Sequence, residues 1–321
     1  MQTAPSPDHP PFRLEPCRCP GCGSGAFAIA TRSAAQLSSM AYEFRFVRCS
    51  DCGLVYINPR VAPEDIGIFY DDYLLHAGTG AWGRFESIVD AWQQRVDMQR
   101  VRVVRRHVRL GPSSAVLDVG CGKPTFLREV HRTTGARGVG IDFTDAGWRD
   151  RAWPELRLHT GTVASVNPQP PFEAITMWHA LEHDPHPRET LEQLLSWTRP
   201  GAPLIVEVPD YDSKGRRLQG SAWGGFHTPR HYVMFTAASL RTLLETSGWA
   251  VERVQRKGTL DPFVLWWLGA QPTRESTPER RFLRFTALRT ASWPLWGRPG
   301  AQGWGLMLAV ARNPSFSSSR P

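Results

Sequence analysis

The sequence predicts an α/β protein in which a doubly wound, mostly parallel sheet follows a small zinc ribbon. Three observations carry this. Ala115 to Asp142 reads strand, Gly-rich turn, helix, strand, acid, which is half of a nucleotide-binding doubly wound sheet. Strands and helices continue to alternate as far as Pro209, the pattern of parallel strands joined by crossover helices. Two Cys-x-x-Cys pairs, Cys19 with Cys22 and Cys49 with Cys52, stand near the N-terminus.

A chain of 321 residues can bury one large core beside a small domain. Hydrophobic and charged contents of 41% and 21% are globular values, and they exclude a disordered or fibrous chain. The net charge of +8 admits an anionic partner: nucleic acid, phospholipid or a phosphorylated substrate. Much of the excess is arginine, which a GC-rich codon bias would also produce. Runs of about 18 apolar residues are missing, so no transmembrane helix is expected. Residues 1–16 are Pro-rich without an apolar stretch, which reads as a disordered lead-in rather than a secretory signal. A cytoplasmic location is expected, and 314–321 read as a disordered tail.

The ribbon is expected over 17–60. Each Cys-x-x-Cys pair is followed by a glycine, Gly23 or Gly53, suited to the tight turn that aims two thiolates at one ion. Four thiolates satisfy tetrahedral zinc and leave no open position, so the metal is structural. Between the pairs, Glu43 to Arg48 alternates polar and apolar, as a strand does. Cys17 is left over; it could replace Cys19 or remain a free thiol, and Cys19 is preferred because only it completes the spacing.

Residues 61–112 read as a helical extension over the active site. Glu64 to Leu75 predicts a short helix carrying Phe69, Tyr70 and Tyr73, broken at Gly78 and Gly80. A long helix follows from about Gly83 to Leu110. Phe85, Ile88, Val89, Trp92, Val96, Val103, Val104 and Val108 mark its apolar face. Arg100, Arg102, Arg105, Arg106 and Arg109 read as a solvated basic face near the helix C-terminus. Gly111 and Pro112 end it.

In the central stretch the strand Ala115 to Leu117 runs into Asp118-Val119-Gly120-Cys121-Gly122, and Phe126, Leu127 and Val130 mark the helix that follows. Glycines let backbone approach a ligand where a Cβ would clash. Asp142 lies 20 residues after Gly122, at the end of the second strand, where a carboxylate accepts both hydroxyls of a ribose. A helix with Trp148 and Trp153, a third strand at Leu156 to His159 and a fourth at Phe172 to Trp178 are expected next. Then come a helix at Pro187 to Thr198, a fifth strand at Leu204 to Pro209 and a sixth at Val251 to Gln255. Asp118, Asp142, Gly161 and the loop His179 to His183 all fall at strand carboxyl ends, where such sheets bind ligands.

The segments WHALEHDPHP from Trp178, RPGAPLIVEVPDYDS from Arg199 and TPRHYVMFTAASLRTLLETSGWAVERV from Thr228, together with Asp-x-Gly-x-Gly at Asp118, resemble bacterial class I S-adenosylmethionine methyltransferases. The type is one with an N-terminal Cys-knuckle zinc domain, found in sugar, polysaccharide and secondary-metabolite pathways. The resemblance runs from Cys19 to about Arg312. It implies a Rossmann-like sheet of seven strands over 113–313 whose last strand, Gly305 to Ala311, is antiparallel. It implies S-adenosylmethionine as cofactor, with Asp118, Gly120, Cys121 and Gly122 along the methionine end and Asp142 and Phe143 at the ribose. Thr162 is implied near the adenine, with Trp178 also lining the site. Pro124 stands where such turns carry a third glycine, and a first helical turn tolerates it.

Methyl transfer from a sulfonium needs alignment, desolvation and, for a hydroxyl acceptor, a base. His183 and His231 lead as bases, with Glu182 beside them; His227 and His179 come next. His179, Glu182 and His183 at i, i+3 and i+4 would share a helix face and, with His231, could hold a second divalent ion. Transfer to a small-molecule or glycan acceptor is expected, onto oxygen rather than carbon. The rivals are an RNA methyltransferase gripping phosphates with ribbon and basic helix, and a non-catalytic cofactor-binding scaffold. Nucleobase-amine methylation is disfavoured because Trp178 to Leu181 lacks Asn/Asp-Pro-Pro-Tyr. The insert 258–303 interleaves aromatic and basic residues, with Phe263 to Leu268, Arg280 to Phe285 and Trp293 to Trp296. It reads first as extra helices packed on the core, and second as a peripheral contact with an anionic membrane, a lid or a dimer surface.

Overall fold

The computed structural model describes residues 10–71, 82–270, 278–292 and 302–314. Tyr73, Leu74, Leu75, Gly78, Gly80, Trp293 and Trp296 lie outside them, as do most of the expected lead-in and tail. In chain order the ribbon region comprises β1 (Leu14–Glu15), β2 (Phe27–Ala34), β3 (Glu43–Cys49), β4 (Val55–Ile57) and β5 (Arg60–Val61). Next come α1 (Gly67–Asp71) and α2 (Glu86–Arg105), and then β6 (Ala115–Val119), α3 (Thr125–Thr134), β7 (Arg137–Asp142), β8 (Leu156–Thr160) and β9 (Ala174–Trp178). The chain continues through α4 (Pro187–Ser196), β10 (Pro203–Pro209), α5 (Lys214–Gln219), β11 (Val233–Met234), α6 (Ala237–Thr246) and β12 (Ala250–Gln255). It closes with α7 (Phe263–Gly269), α8 (Pro278–Ala291) and β13 (Leu306–Arg312).

The main sheet has seven strands in the order β12-β13-β10-β9-β6-β7-β8. β13 runs antiparallel to both β10 and β12, while β6, β7, β8, β9 and β10 pair in parallel. The fold class is the expected one. Strands β6, β9 and β10 are buried along their whole length, which is why they read as continuous apolar runs. Strand order reverses between β6 and β9, and ligands of doubly wound sheets bind outside the carboxyl ends at such a point.

The ribbon is not a separate bead. Its strands β2, β3 and β4 form a sheet that β11, from the far half of the chain, completes. Val233 pairs with Tyr56 and Met234 with Val55. Cys19, Val47, Cys49, Leu54 and Tyr56 share one buried cluster with Leu117, Ile175, Val206, Phe235 and Leu243.

Several elements differ from expectation. The segment with Trp148 and Trp153 is a turn, not a helix; Trp148 N and Arg149 N both bond to Asp145 O, and Pro154 stops propagation. On α2, Ile88 and Trp92 are 55% and 37% exposed, while Asp97 and Arg100 are buried beside Val96, Val101 and Val104. Arg100 thus leaves the expected solvated basic face. In the insert, α7 buries Phe263 and Trp267 against Phe285 of α8. An extra helix pair packed on the core is therefore what forms, and these two aromatics are not presented to a lipid surface. No helix among the described residues is long and apolar enough to cross a membrane.

Candidate active site

The site assembles where β6, β7 and β9 end. Gly120 and Gly122 have φ of +71° and +47°, values that favour glycine. A Cβ on Gly120 would stand 2.5 Å from that of Ala180, so the turn after β6 lies directly against the loop after β9. A Cβ on Gly122 would meet nothing within 4 Å, so that side of the turn is open, whereas its carbonyl packs against Gly147, where a Cβ would stand 2.3 Å from it. Pro124 is the N-cap of α3; its carbonyl accepts from Arg128 N, and its missing N–H removes no helical bond.

Asp118 is buried and accepts from the Thr176 hydroxyl at 2.6 Å, across the point where strand order reverses. Burial pushes its carboxyl up to about 7, against the opposing Thr176 bond. Asp142 accepts from Gly122 N at 2.9 Å through one oxygen and from Thr144 N at 3.3 Å through the other. Each oxygen keeps a lone pair, so the carboxylate can still take two hydroxyl donors. A glycine turn open on its Cβ side and a carboxylate with two spare acceptors fit the ribose end of S-adenosylmethionine.

Other expected cofactor residues are placed differently. Cys121 is buried, and its Sγ points at the backbone of Gly140, so only its main chain can face a ligand. The Trp178 ring is packed edge-on to Phe126 with the Arg100 guanidinium 4.9 Å from its centre, and it is 6% exposed. It belongs to the core between sheet and helices rather than to a cofactor wall. Phe143 is exposed, with its ring 4.9 Å from that of Tyr70. Thr162 is exposed at the turn after β8, and its N–H bonds to Ser165 Oγ at 2.8 Å.

The histidines divide into two groups. His179 has a φ of +58°, and its Nε2 lies 2.9 Å from Glu207 Oε1. Burial opposes its charge, but Glu182 and Glu207 hold its pKa up at about 9, so it is an imidazolium at neutral pH. It cannot ligate a metal in that state. Leu181–His183 forms only a single 3-10 turn, so the expected shared helix face is not built. His183 instead meets His231 and His227, with ring centroids 4.5 Å and 5.9 Å away; His227 and His231 are 4.9 Å apart. Burial lowers the pKa of all three, and they are neutral at pH 7. Glu182 is fully buried, with Oε1 3.6 Å from the His179 imidazolium, an ion pair rather than a hydrogen bond, and 3.9 Å from the neutral ring of His231 at Nε2. The Tyr70 hydroxyl, 2.9 Å from His183 Nδ1, links this cluster through Phe143 to Asp142.

Sequence reasoning missed Glu207, placed Arg100 on a solvated face, and did not group His227 with His183 and His231. Glu207, fully buried, anchors His179 and accepts from the Thr259 hydroxyl at 2.9 Å, while Arg100 lies 3.8 Å away. Its signal was a lone charge inside an apolar strand. For His227 the signal was its spacing of four from His231.

In the ribbon, one sulfur from each of Cys19, Cys22, Cys49 and Cys52 lies within 4.8 Å of the rest. Cys19 and Cys52, and likewise Cys22 and Cys49, are 3.5 Å apart. This donor set suits tetrahedral zinc. Cys17 stands outside it, its Sγ directed at Ile57 O at 3.7 Å.

Residues 94–254, half of the chain, match the family described as methyltransferase domain. Trans-aconitate 2-methyltransferase of Methylobacterium nodulans is 30% identical over 106 residues, which span 32% of this chain and 41% of that protein. Among solved structures, the 1,6-didemethyltoxoflavin-N1-methyltransferase of Burkholderia thailandensis superposes with a TM-score of 0.49 at 17% identity, covering 83% of this chain and 98% of that one. The geranyl diphosphate C-methyltransferase of Streptomyces coelicolor A3(2) gives 0.43 at 16% identity, covering 67% and 77%.

Proposed function

The chain belongs to the methyltransferase domain family, and we propose that it transfers the methyl group of S-adenosylmethionine to a hydroxyl of a small-molecule or glycan acceptor. The carrying observation is the crevice itself. The turn at Gly122 is open on its Cβ side, Asp142 keeps two spare acceptors, and neutral histidines stand two side chains away through Phe143 and Tyr70.

When bound, S-adenosylmethionine supplies a methyl already activated on a sulfonium, so no protein nucleophile is needed. Asp142 accepts the ribose hydroxyls, and the turn from Gly120 to Gly122 offers backbone at close range. The cluster of His183, His231 and Glu182 orients the acceptor hydroxyl and takes up its proton as the new C–O bond forms and the C–S bond breaks. Transfer to oxygen rather than carbon is supported by the neutral state of His183 and His231 beside a carboxylate. Structural zinc at Cys19, Cys22, Cys49 and Cys52 is part of this reading. The RNA alternative is weakened because Arg100 is spent inside the protein.

Calorimetric titration with S-adenosylmethionine tests the cofactor. Asp142→Ala removes two charge-assisted bonds, each worth about 1.5–3 kcal/mol, and should weaken binding by at least roughly 100-fold. Wild-type protein that takes up no cofactor would sink the enzymatic reading. For the acceptor, release of S-adenosylhomocysteine is followed with hydroxylated sugars and with RNA; release stimulated by RNA alone would replace this proposal with the RNA one.

A further inference from the structure

Between the loop after β9 and the segment before β11, one nitrogen from each of His183, His227 and His231 lies within 4.8 Å of the others. The geometry points to a divalent-metal site formed by these three imidazoles, taking zinc or a similar borderline ion and leaving a coordination position open for the oxygen of the acceptor. The oxygen ligand rests on the proposed transfer to a hydroxyl; the ion itself does not.

Backbone carbonyls already orient two of the rings as ligands. His231 Nδ1 lies 2.9 Å from Gly225 O, and His183 Nδ1 lies 3.0 Å from Arg230 O. A carbonyl can only accept, so each Nδ1 carries the proton and each Nε2 presents its lone pair. A metal-bound histidine commonly donates its other N–H to a carbonyl in this way. Zinc–nitrogen bonds near 2.0–2.1 Å imply nitrogens roughly 3.4 Å apart, so His183 and His227, both only half-buried, close inward on the ion.

A second observation points to a missing partner. Glu182 is ion-paired with the His179 imidazolium, but neither of its buried carboxylate oxygens makes a hydrogen bond, and Oε1 faces His231 Nε2. A buried carboxylate oxygen without a donor is costly. A hydroxyl bound to a divalent ion among the imidazoles supplies that donor. Arg230 opposes the ion: its Nε lies 3.3 Å from His227 Nε2, a long contact that ligation would replace. Its two terminal nitrogens are held by Phe69 O and Gln36 O, at 2.8 Å and 2.5 Å.

Three protein ligands and one open position is the arrangement of catalytic rather than structural zinc. A hydroxyl on the ion becomes acidic enough to give its proton to Glu182. The oxygen then forms its bond to the methyl carbon, the C–S bond breaks, and sulfur leaves as a neutral thioether. Here Glu182 is the base and the histidines hold the ion.

Loading the full chain with cobalt(II) tests this. Wild-type protein should hold two equivalents by elemental analysis. One should show thiolate-to-cobalt charge-transfer absorption, and the second d–d absorption alone. H227A/H231A should keep the thiolate band and lose the second equivalent. Because His231 is buried, H227A alone guards against misfolding: it should keep the thiolate band and weaken the second site by at least about 10-fold. One equivalent in the wild type, or unchanged second-site affinity in both variants, overturns the site. Cofactor titration is a separate readout, so failure of the methyl-transfer reading would be distinguished from failure of the metal.

Discussion

Asp118 joins the strain of the site to the stability of the fold. It sits in the buried strand β6 with one hydrogen bond, from Thr176, and its pKa is about 7. That value lies above the ordinary carboxylate range, so between about pH 4 and 7 the native state binds more protons than the unfolded chain, and stability falls as pH rises through that window. At about 1.4 kcal/mol for each pH step, keeping Asp118 ionised at pH 8 costs the cofactor-free protein on the order of 4 kcal/mol. Asp118→Asn keeps an oxygen for Thr176 and removes the charge. Its melting temperature should exceed the wild type's by several degrees at pH 8 and match it at pH 4, while cofactor affinity falls. Equal melting temperatures at pH 8 would show that the carboxylate is better solvated than its burial implies. The motif made Asp118 visible in the sequence, because an acid leading two glycines is a local pattern. Glu207 and Arg100 were hidden: their burial depends on His179, Thr259 and Trp178, which the chain brings in from three other segments.

Among the elements, the strands of the main sheet were legible and helix α2 was legible in part. A strand covered on both faces is largely apolar, so β6, β9 and β10 announce themselves. On α2 the expected apolar face is buried only in the C-terminal half: Val96 and Val104 are covered, while Trp92 and Ile88, one and two turns earlier on that face, are exposed. The covered half also holds Asp97 and Arg100, two charges that periodicity did not place there. Arg100 is tolerated there because its guanidinium lies over Trp178, donates to the Thr259 hydroxyl at 3.2 Å and stands 3.8 Å from Asp97 and Glu207. Denaturant unfolding of two variants separates the two halves of the helix. Trp92→Gln should change stability by no more than about 0.5 kcal/mol. Arg100→Leu leaves buried carboxylates short of a partner and should cost about 3 kcal/mol or more. The reverse ranking would mean that the N-terminal half of α2 carries the packing instead. The β11–β4 pairing was equally invisible, since a two-residue strand has no periodicity and its partner lies far away in the chain.

At the scale of the whole molecule, that pairing makes the ribbon part of the catalytic domain's core. Strand β4 is hydrogen-bonded to β3 on one side and β11 on the other, and Leu54 and Tyr56 are buried in the same cluster as Phe235, Leu243 and Val206. The site histidines His227 and His231 immediately precede β11, and Arg60 of β5 donates to Pro185 O in the loop that carries His183. Structural zinc binding in small domains is worth about 10–16 kcal/mol, as much as the whole net stability of a typical domain, about 5–15 kcal/mol. With zinc at the four thiolates, as proposed, its loss would not stay local: the knuckles would open, β4 would loosen, and the ladder that holds β11 and the histidine segment would go with it. Cys49→Ala/Cys52→Ala, chosen because it spares the histidine cluster, should lower the melting temperature of the whole chain in one transition and abolish cofactor binding at 37 °C. Tryptophan fluorescence tracks the sheet side through Trp197 and Trp249, both buried in the shared cluster, and calorimetry tracks the crevice. Two separate transitions, with cofactor affinity preserved after the first, would show instead that the ribbon melts as an appendage and that the β11–β4 ladder is not needed to hold the site.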